Sequence, residues 1–284
     1  MHRLLSVLLR AAARLPLGVL HAVGTVLGWA MYGMSPTYRR HLRENLARAG
    51  YDDAATRRAA IAAAGQMLTE IPPVWFSPPE RIARLVKRVE GEAAALEALR
   101  QGKAVLFLTP HMGCFEVAAQ YAALRAPITV LYRPPKVAWL DPLMREGRVR
   151  RNVRLVPANL AGVRELFNAV RRGEAVGFLP DQVPGVGEGE WAELFGSPAY
   201  TMTLAAKLAA RDNLECFLAF ARRLPRGEGY EILLRPFPAQ LENESPARRL
   251  NRAIEALVRE CPAQYLWGYN RYKVPAGAAP PSAA

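Results

Sequence analysis

A histidine and a glutamate lie five positions apart in the segment Thr109–Glu116, which reads Thr-Pro-His-Met-Gly-Cys-Phe-Glu. The apolar run Ala104–Thr109 predicts a buried strand, with His111 at its end and Glu116 in the first turn of the next helix. An imidazole at a strand end can act as a general base near neutral pH, and a neighbouring acid can hold its tautomer. The other histidines lie in or beside an N-terminal apolar segment: His2, His21 and His41. We therefore predict His111 and Glu116 as a catalytic pair, with a plain loop or capping role for His111 as the alternative.

The spacing of the potential metal ligands does not predict a metal site. The segment lacks a His-Glu-x-x-His pattern, and no second histidine is close to His111 in the sequence. The three cysteines, Cys114, Cys216 and Cys261, are far apart and have no paired spacing for zinc or for a disulfide framework. We expect no metal and no bound cofactor. Cys114 is close enough to His111 to be considered as a nucleophile.

Polar residues follow two further apolar runs. Asp181 and Gln182 come directly after Ala175–Leu179 and begin a glycine-rich loop, which could close over a substrate or be an ordinary surface connection. Arg133 and Lys136 follow Ile128–Tyr132. A dense basic stretch comes next: Arg145, Arg148, Arg150, Arg151 and Arg154. Arginine suits bidentate binding of phosphate, so these side chains could hold an anionic substrate, whereas the alternative is a solvated helix face.

The pattern of apolar runs predicts the fold class. Five runs are typical of strands: Ala104–Thr109, Ile128–Tyr132, Ala175–Leu179, Leu214–Phe220 and Tyr230–Leu234. Helical periodicity is found between and after these runs. One helix is expected to end at Gly173, and another is expected to begin at Ser245 as its N-cap. This alternation predicts an α/β fold with a mixed, mainly parallel sheet flanked by helices, whose active site lies at the carboxyl ends of strands.

The segment Leu15–Met34 has no charged residue and is long enough to cross a bilayer. Arginines lie on both sides of it, so the positive-inside rule does not decide its orientation. Its glycines, with Pro16, keep an interfacial helix open as an alternative, and a buried core helix is a further one. We expect a membrane anchor over residues 1–37, one α/β domain over 38–275 and a disordered tail over 276–284.

The chain of 284 residues carries a formal net charge of +13 and has a sequence pI near 10.1. Such a charge suits nucleic acid, an anionic membrane surface or an acidic partner. The arginines are spread along the chain, and no zinc finger, RNP signature or basic heptad is present. We therefore expect no nucleic-acid binding.

Six segments, in this order, resemble the bacterial lipid A biosynthesis acyltransferases of the lysophospholipid acyltransferase superfamily. They are His41–Leu46, Thr109–Glu116, Leu131–Lys136, Leu179–Gly185, Leu194–Ala199 and Tyr265–Arg271. The resemblance covers the chain from about Tyr38 to Lys273, with Cys114 where the family usually carries Asn. It implies a glycerolipid acyltransferase-like fold and direct transfer without an acyl-enzyme. It also favours Arg133 and Arg148 as the substrate-binding arginines.

From the residues and the resemblance we expect an acyltransferase at the inner membrane, with its catalytic domain facing the cytoplasm. It would move a fatty acyl chain from an acyl carrier protein thioester to a hydroxyl of a lipid A precursor, a phosphorylated glycolipid. His111 would deprotonate the hydroxyl and Glu116 would hold the imidazole, while Asp181 and Gln182 would join the two arginines in binding substrate. The alternatives are a lysophospholipid or aminolipid acceptor and a non-catalytic membrane-binding protein. A hydrolase is disfavoured because the Gly-x-Ser-x-Gly motif is absent.

Overall fold

The computed structural model describes residues 2–135, 137–149 and 152–281, and its centre is a seven-stranded sheet. The strands are β1 Val86–Glu90, β2 Ala104–Leu108, β3 Ile128–Tyr132, β4 Val153–Pro157, β5 Ala175–Phe178, β6 Gly189–Leu194, β7 Ser197–Met202, β8 Leu214–Arg223 and β9 Tyr230–Pro236. The sheet order is β1-β9-β8-β2-β5-β3-β4, and every pair is parallel except β8 with β9. Strands β6 and β7 form a separate antiparallel hairpin. The carboxyl ends of β2, β5, β3 and β8 therefore meet at one edge.

Helices cover both faces of this sheet. They are α1 His2–Ala12, α2 Leu17–Met34, α3 Pro36–Arg48, α4 Ala54–Thr69, α5 Ile71–Phe76, α6 Pro79–Leu85, α7 Glu92–Arg100, α8 Phe115–Ala122, α9 Asp141–Arg148, α10 Leu160–Arg171, α11 Leu204–Ala209 and α12 Pro246–Glu260. Leu106 and Leu108 of β2 pack in the core that includes α10, α11 and α12. Val105 of the same strand packs in the core of α5 to α8 on the opposite face. This alternation follows from the two-residue period of a strand, and it gives the buried sheet two apolar layers.

The structure confirms the predicted fold class and all five predicted strands. It also confirms the Ser245 cap, whose hydroxyl accepts from Arg248 N, and the stop at Gly173, which has φ +71°. Strands β1, β4, β6 and β7 were not predicted. Strand β4 was not predicted because Arg154 made its segment resemble a basic helix. In the structure Arg154 is exposed on the strand and forms an ion pair with Glu165.

Helix α2 is the one helix, among the described residues, with the length and composition of a membrane span. One face of it packs closely on α4, because Gly24 and Gly28 lie against Gly65 without intervening side chains. Gln66 Nε2 donates to Thr25 Oγ1 at 3.0 Å across the same contact. Away from this contact α2 leaves six large apolar side chains exposed: Val19, Val23, Val26, Leu27, Trp29 and Met34. The helix is thus attached to the α/β domain along one side and apolar on the other.

A buried ionic cluster joins α2 to the sheet. His21 Nε2 of α2 lies 2.8 Å from Glu70 Oε1, and the Arg223 guanidinium at the end of β8 donates two bonds of 2.6 Å to the same carboxylate. Burial opposes the charge of Glu70, but Arg223 and the His21 hydrogen bond outweigh it and lower the pKa of that carboxyl. A buried carboxylate needs such partners, so this cluster fixes the position of α2 on the domain.

Two glycines of α2 offer a matched test of this packing. A side chain at Gly28 would overlap the carbonyl oxygen of Ile61, whereas a Cβ at Gly33 would meet nothing within 4 Å. We expect Gly28→Ala to lower the free energy of unfolding by about 1–3 kcal/mol through overpacking. Gly33→Ala should instead raise it by up to about 1 kcal/mol, because alanine favours a helix. Urea unfolding of the detergent-solubilised protein measures both, and equal effects would contradict the close contact of α2 with α4.

Candidate active site

The site begins where two neighbouring parallel strands end. Leu108 of β2 is in register with Phe178 of β5, and Thr109 N continues the pairing by donating to Phe178 O at 3.1 Å. His111 lies three residues beyond the end of β2, and Asp181 lies three residues beyond the end of β5. Because the strands are parallel and in register, both side chains emerge at the same edge of the sheet.

The His111 imidazole is bound to the Asp181 carboxylate. Nδ1 of the ring lies 2.8 Å from Asp181 Oδ1, and the backbone N–H of His111 donates to Oδ2 at 2.9 Å. One carboxylate thus binds both the ring and the main chain of the same residue. Since an ionised carboxylate only accepts hydrogen bonds, the Nδ1 atom carries the proton.

The surroundings of Asp181 keep it ionised. Burial opposes its charge, but the His111 ring, through its charge when protonated and its hydrogen bond, and the His111 backbone N–H outweigh that effect and lower the pKa of Asp181. The Tyr265 phenol lies beside the same carboxylate, and burial together with the Asp181 charge raises the pKa of Tyr265 well above its ordinary value. Tyr265 is therefore a neutral donor to a charged acceptor.

The second ring nitrogen of His111 is left as an acceptor. Gln182 Nε2 lies 3.2 Å from His111 Nε2, which fits an amide N–H donating to the free lone pair. The Phe115 ring lies against the imidazole with 4.9 Å between centroids. The imidazole is partly open, with 16% of the side chain exposed, whereas the Asp181 side chain exposes 4%. Of the two ring nitrogens, Nε2 is the one that can accept a proton from a hydroxyl, because Asp181 occupies Nδ1.

Glu116 occupies a different position from the one predicted. It forms a bidentate ion pair with Arg148, in which Arg148 Nε lies 3.1 and 3.0 Å from the two carboxylate oxygens and Nη2 also donates. Trp75 Nε1 donates to Glu116 Oε2 at 3.0 Å, and the Arg148 guanidinium lies over the Trp75 ring. The expectation that Glu116 holds the His111 tautomer therefore needs correction, because Asp181 occupies Nδ1.

The predicted arginines have different surroundings. Arg148 lies on α9, and burial opposes its charge while Glu116 raises its pKa. Arg145 of the same helix donates to Tyr132 Oη at 2.8 Å. Arg133 is exposed at the carboxyl end of β3, and no ion pair engages it within the described ranges. The other basic residues of these segments lie outside the described residues: Lys136, Arg150 and Arg151.

Cys114 is poorly suited to act as a nucleophile. It is 3% exposed, and burial raises the pKa of its thiol well above the usual value, with the Glu70 charge adding to the effect. The reactive form of cysteine is the thiolate, so this thiol is inert. The described residues also contain no cluster of three or more His, Cys, Asp or Glu side chains that could bind a metal ion.

Residues 264–269, which we term the C-terminal clasp, hold both loops of the site. Gly113 N donates to Gln264 O at 2.9 Å, and Leu266 N donates to His111 O at 3.0 Å. Tyr269 Oη accepts from Val183 N at 3.1 Å on the other loop. Gly113 has φ +58°, and a Cβ there would overlap Ala221 O, so only glycine allows this approach.

Asn45 of α3 holds the clasp in turn. Its Nδ2 donates to Trp267 O at 2.7 Å and to Tyr269 O at 2.8 Å, although the side chain is buried. The segments that contain Asn45 and Tyr265 were identified from the sequence, and Tyr265 had the character of a membrane-interface residue, but neither residue was connected with His111. Asn45 lies in a strongly charged helix and Tyr265 in an aromatic segment, and neither pattern reveals the partner.

An apolar cavity of about 820 Å³, including its open mouth, lies beside the imidazole. It is bounded by α7, α8 and the face of the sheet formed by β2, β5 and β3. Thr109, Phe115 and Leu179 line it near the site, so Phe115 contacts both the cavity and the imidazole. A cavity with such walls suits a hydrocarbon chain.

The chain is similar to known proteins of one family. Residues 3–274 match the family model described as bacterial lipid A biosynthesis acyltransferase. The lipid A biosynthesis lauroyltransferase of Escherichia coli (strain K12) is 28% identical over 213 residues, which cover 74% of this chain and 69% of the relative. The lipid A biosynthesis palmitoleoyltransferase of the same organism is 29% identical over 275 residues, or 92% of this chain and 87% of the relative.

The family match extends over almost the whole chain and includes every loop that builds the site. The chain therefore belongs to the bacterial lipid A biosynthesis acyltransferase family, and it is an acyltransferase.

Proposed function

We propose that this protein transfers a fatty acyl group from an acyl carrier protein thioester to a hydroxyl of a lipid A precursor, with His111 as the general base. The observation that carries the proposal is the buried bond between His111 Nδ1 and Asp181. It leaves the lone pair of Nε2 as the proton acceptor of a partly exposed ring, which contacts Phe115 of the apolar cavity. Membership of the family supports acyl transfer. The hydrogen bond at His111 Nδ1 supports proton transfer from the acceptor hydroxyl to Nε2.

The reaction follows from the tautomer. His111 Nε2 takes the proton of the acceptor hydroxyl while its oxygen attacks the thioester carbonyl, and Asp181 stabilises the imidazolium. The tetrahedral intermediate then collapses, the carbon–sulfur bond breaks, and the imidazolium returns the proton to the departing thiolate. The products are the acyl ester and the free thiol of the carrier. All atoms balance without an acyl-enzyme, which agrees with the inert thiol of Cys114.

Gln182 is the side chain we assign to the oxyanion. In the free enzyme its amide lies 3.2 Å from the nitrogen that must receive the proton. An incoming hydroxyl needs that position, so the amide has to move aside as substrate binds. Its N–H groups can then donate to the oxygen of the tetrahedral intermediate, where one donor typically contributes a factor of about 10²–10³.

Glu116 and Arg148 contribute to the site as a pair in this proposal. Their ion pair joins α8, whose first turn carries Glu116, to α9, with Trp75 against both groups. Glu116 thus orients the cation, and Arg148 presents a partly buried positive charge near the carboxyl ends of the strands. An acceptor phosphate could share this cation, whereas Arg133 is not engaged by any acid in the described part of the chain and can bind a phosphate directly.

The cavity is the proposed site of the acyl chain, and the basic surface is the proposed site of the acidic carrier. The formal charge of +13 would attract an acidic protein and a phosphorylated lipid alike. Because the cavity contacts Phe115, a chain inside it would hold its thioester carbonyl close to His111. Holding the two reactants in this geometry is itself a large part of catalysis.

We further propose that α2 holds the enzyme at the cytoplasmic face of the inner membrane by lying along the lipid surface. The glycine contacts and the Gln66–Thr25 bond use one side of the helix for the protein, which supports a surface position over a free span. Val19, Val23 and Trp29 offer an apolar face to lipid. Arg14 and Arg43 are exposed near its ends, where cations meet anionic headgroups.

The two acids of the site can be separated by matched amide variants. Asp181→Asn should lower kcat by about 10²–10⁴-fold, because an amide next to Nδ1 no longer enforces the productive tautomer. Glu116→Gln keeps the shape of its ion pair with Arg148 but loses the charge, and we expect a smaller loss than for Asp181→Asn. Steady-state kinetics with purified full-length protein measure both. Near-normal activity of Asp181→Asn, together with an inactive Glu116→Gln, would make Glu116 the acid that serves His111.

The function is tested by the lipid A of a strain that lacks this protein. Mass spectrometry should show a lipid A species short of one acyl chain, and the wild-type gene should restore that chain. His111→Ala should fail to restore it at equal protein level, because the loss of a general base typically costs about 10²–10⁴-fold in rate. Cys114→Ala is the control and should restore it. Unchanged lipid A with an altered phospholipid or aminolipid would transfer the proposal to another acceptor.

A further inference from the structure

The apolar cavity reaches the protein surface at its far end, beside a polar cluster. Near the site it is lined by Thr109 and Phe115, and at the other end it meets Glu92, Tyr121 and Arg125. Arg125 Nε donates to Glu92 Oε1 at 2.8 Å, and Arg125 Nη2 lies 2.6 Å from the Tyr121 hydroxyl. Each of these polar groups has a hydrogen-bond partner within the cluster. The cluster is solvated, with 47% of the Arg125 side chain and 23% of the Glu92 side chain exposed, so the apolar lining of the cavity ends here.

The register of the strands gives the depth of the cavity. Thr109 follows the end of β2, while Ala175, which lines the deep part, pairs with Val105 four residues earlier. Four residues of parallel strand span about 13 Å, at roughly 3.3 Å per residue. With carbon–carbon bonds of about 1.5 Å at tetrahedral angles, an extended chain advances roughly 1.3 Å per carbon. The deep part therefore accommodates on the order of ten carbons below the level of Thr109.

Gly177 lies halfway along this depth. It pairs with Phe107 of β2 and Val130 of β3, and all three residues line the cavity. A Cβ built at Gly177 would be 3.5 Å from Phe107 O and 3.6 Å from Ile128 Cδ1, both ordinary contacts. The backbone at Gly177 is not in the left-handed region. No turn and no steric overlap requires glycine here, and a side chain would project between two lining residues.

We propose that Gly177 determines the acyl-chain length that this enzyme accepts. The missing side chain leaves the passage to the far half of the cavity open, and the apolar lining ends at the polar groups of Glu92, Tyr121 and Arg125. The inference rests on the proposed function, since it assigns the acyl chain to this cavity. The preferred donor is a thioester of about twelve carbons, counting roughly ten along the apolar lining and the carbons that reach His111.

The test uses purified full-length protein, acyl carrier protein thioesters of 8 to 16 carbons, and the under-acylated lipid A from the deletion strain. The variants are Gly177→Ala and Gly177→Val, with Gly33→Ala as a control because its added Cβ meets nothing within 4 Å. Each methylene that no longer fits should cost roughly fourfold in kcat/KM. Blocking about four methylenes should therefore lower the ratio of 12-carbon to 8-carbon kcat/KM by on the order of 100-fold in Gly177→Val. Gly177→Ala should shift the ratio in the same direction by less, and Gly33→Ala should match the wild type.

A second measurement does not depend on turnover. Calorimetric titration with free fatty acids of 8 to 16 carbons should give the same order of preference in the wild type and the same shortening in the Gly177 variants. If the wild type transfers no thioester, the proposed function fails, and the titration alone decides whether the cavity selects chain length. If the wild type transfers acyl groups and both folded Gly177 variants keep its chain-length profile, the inference about Gly177 is overturned.

Discussion

The bond between a buried carboxylate and one imidazole is the interaction on which the rest of the site depends. Asp181 is ionised inside the protein because His111 supplies two hydrogen bonds, from its ring and from its backbone N–H, that offset the cost of burial. Removing one partner of such a pair leaves an uncompensated buried group, which is costly. Two adjacent parallel strands provide the geometry, since their in-register ends bring the two loops to one edge. The tautomer, the exposed Nε2 atom and the contact with Gln182 all follow from this bond.

The distant segments of the chain serve mainly to hold that bond in place. The C-terminal clasp binds the backbone of both catalytic loops, and Asn45 binds the clasp at two carbonyl groups. From the opposite side, Arg223 connects the Glu70 cluster to the clasp, because its backbone exchanges two hydrogen bonds with Gln264. The surface helix α2 reaches the same cluster through His21. A continuous set of hydrogen bonds therefore runs from the proposed membrane helix to the catalytic loop.

Much of the fold could be predicted because apolar runs of four to ten residues identify central strands well. The predicted runs were confirmed, whereas the edge strand β1 and the basic strand β4 were missed because their exposed faces carry charges. The site was harder to predict. Glu116 was predicted as the partner of His111 because it is near in sequence. Its position in the first turn of α8 instead places it against Arg148. Asp181 is 70 residues away, and only the strand order β2-β5 brings it close. Strand order depends on long-range packing that no local pattern encodes.

The tautomer of His111 decides whether its Nε2 atom can act as the general base. Nitrogen-15 NMR of histidine-labelled protein distinguishes a protonated ring nitrogen from a bare one, and the His111→Ala variant identifies the signals. For the neutral imidazole the account predicts a protonated Nδ1, strongly hydrogen-bonded to Asp181, and a bare Nε2 whose signal changes when substrate binds. A neutral ring with its proton on Nε2 would contradict the account, because that nitrogen could not accept the proton of the acceptor hydroxyl.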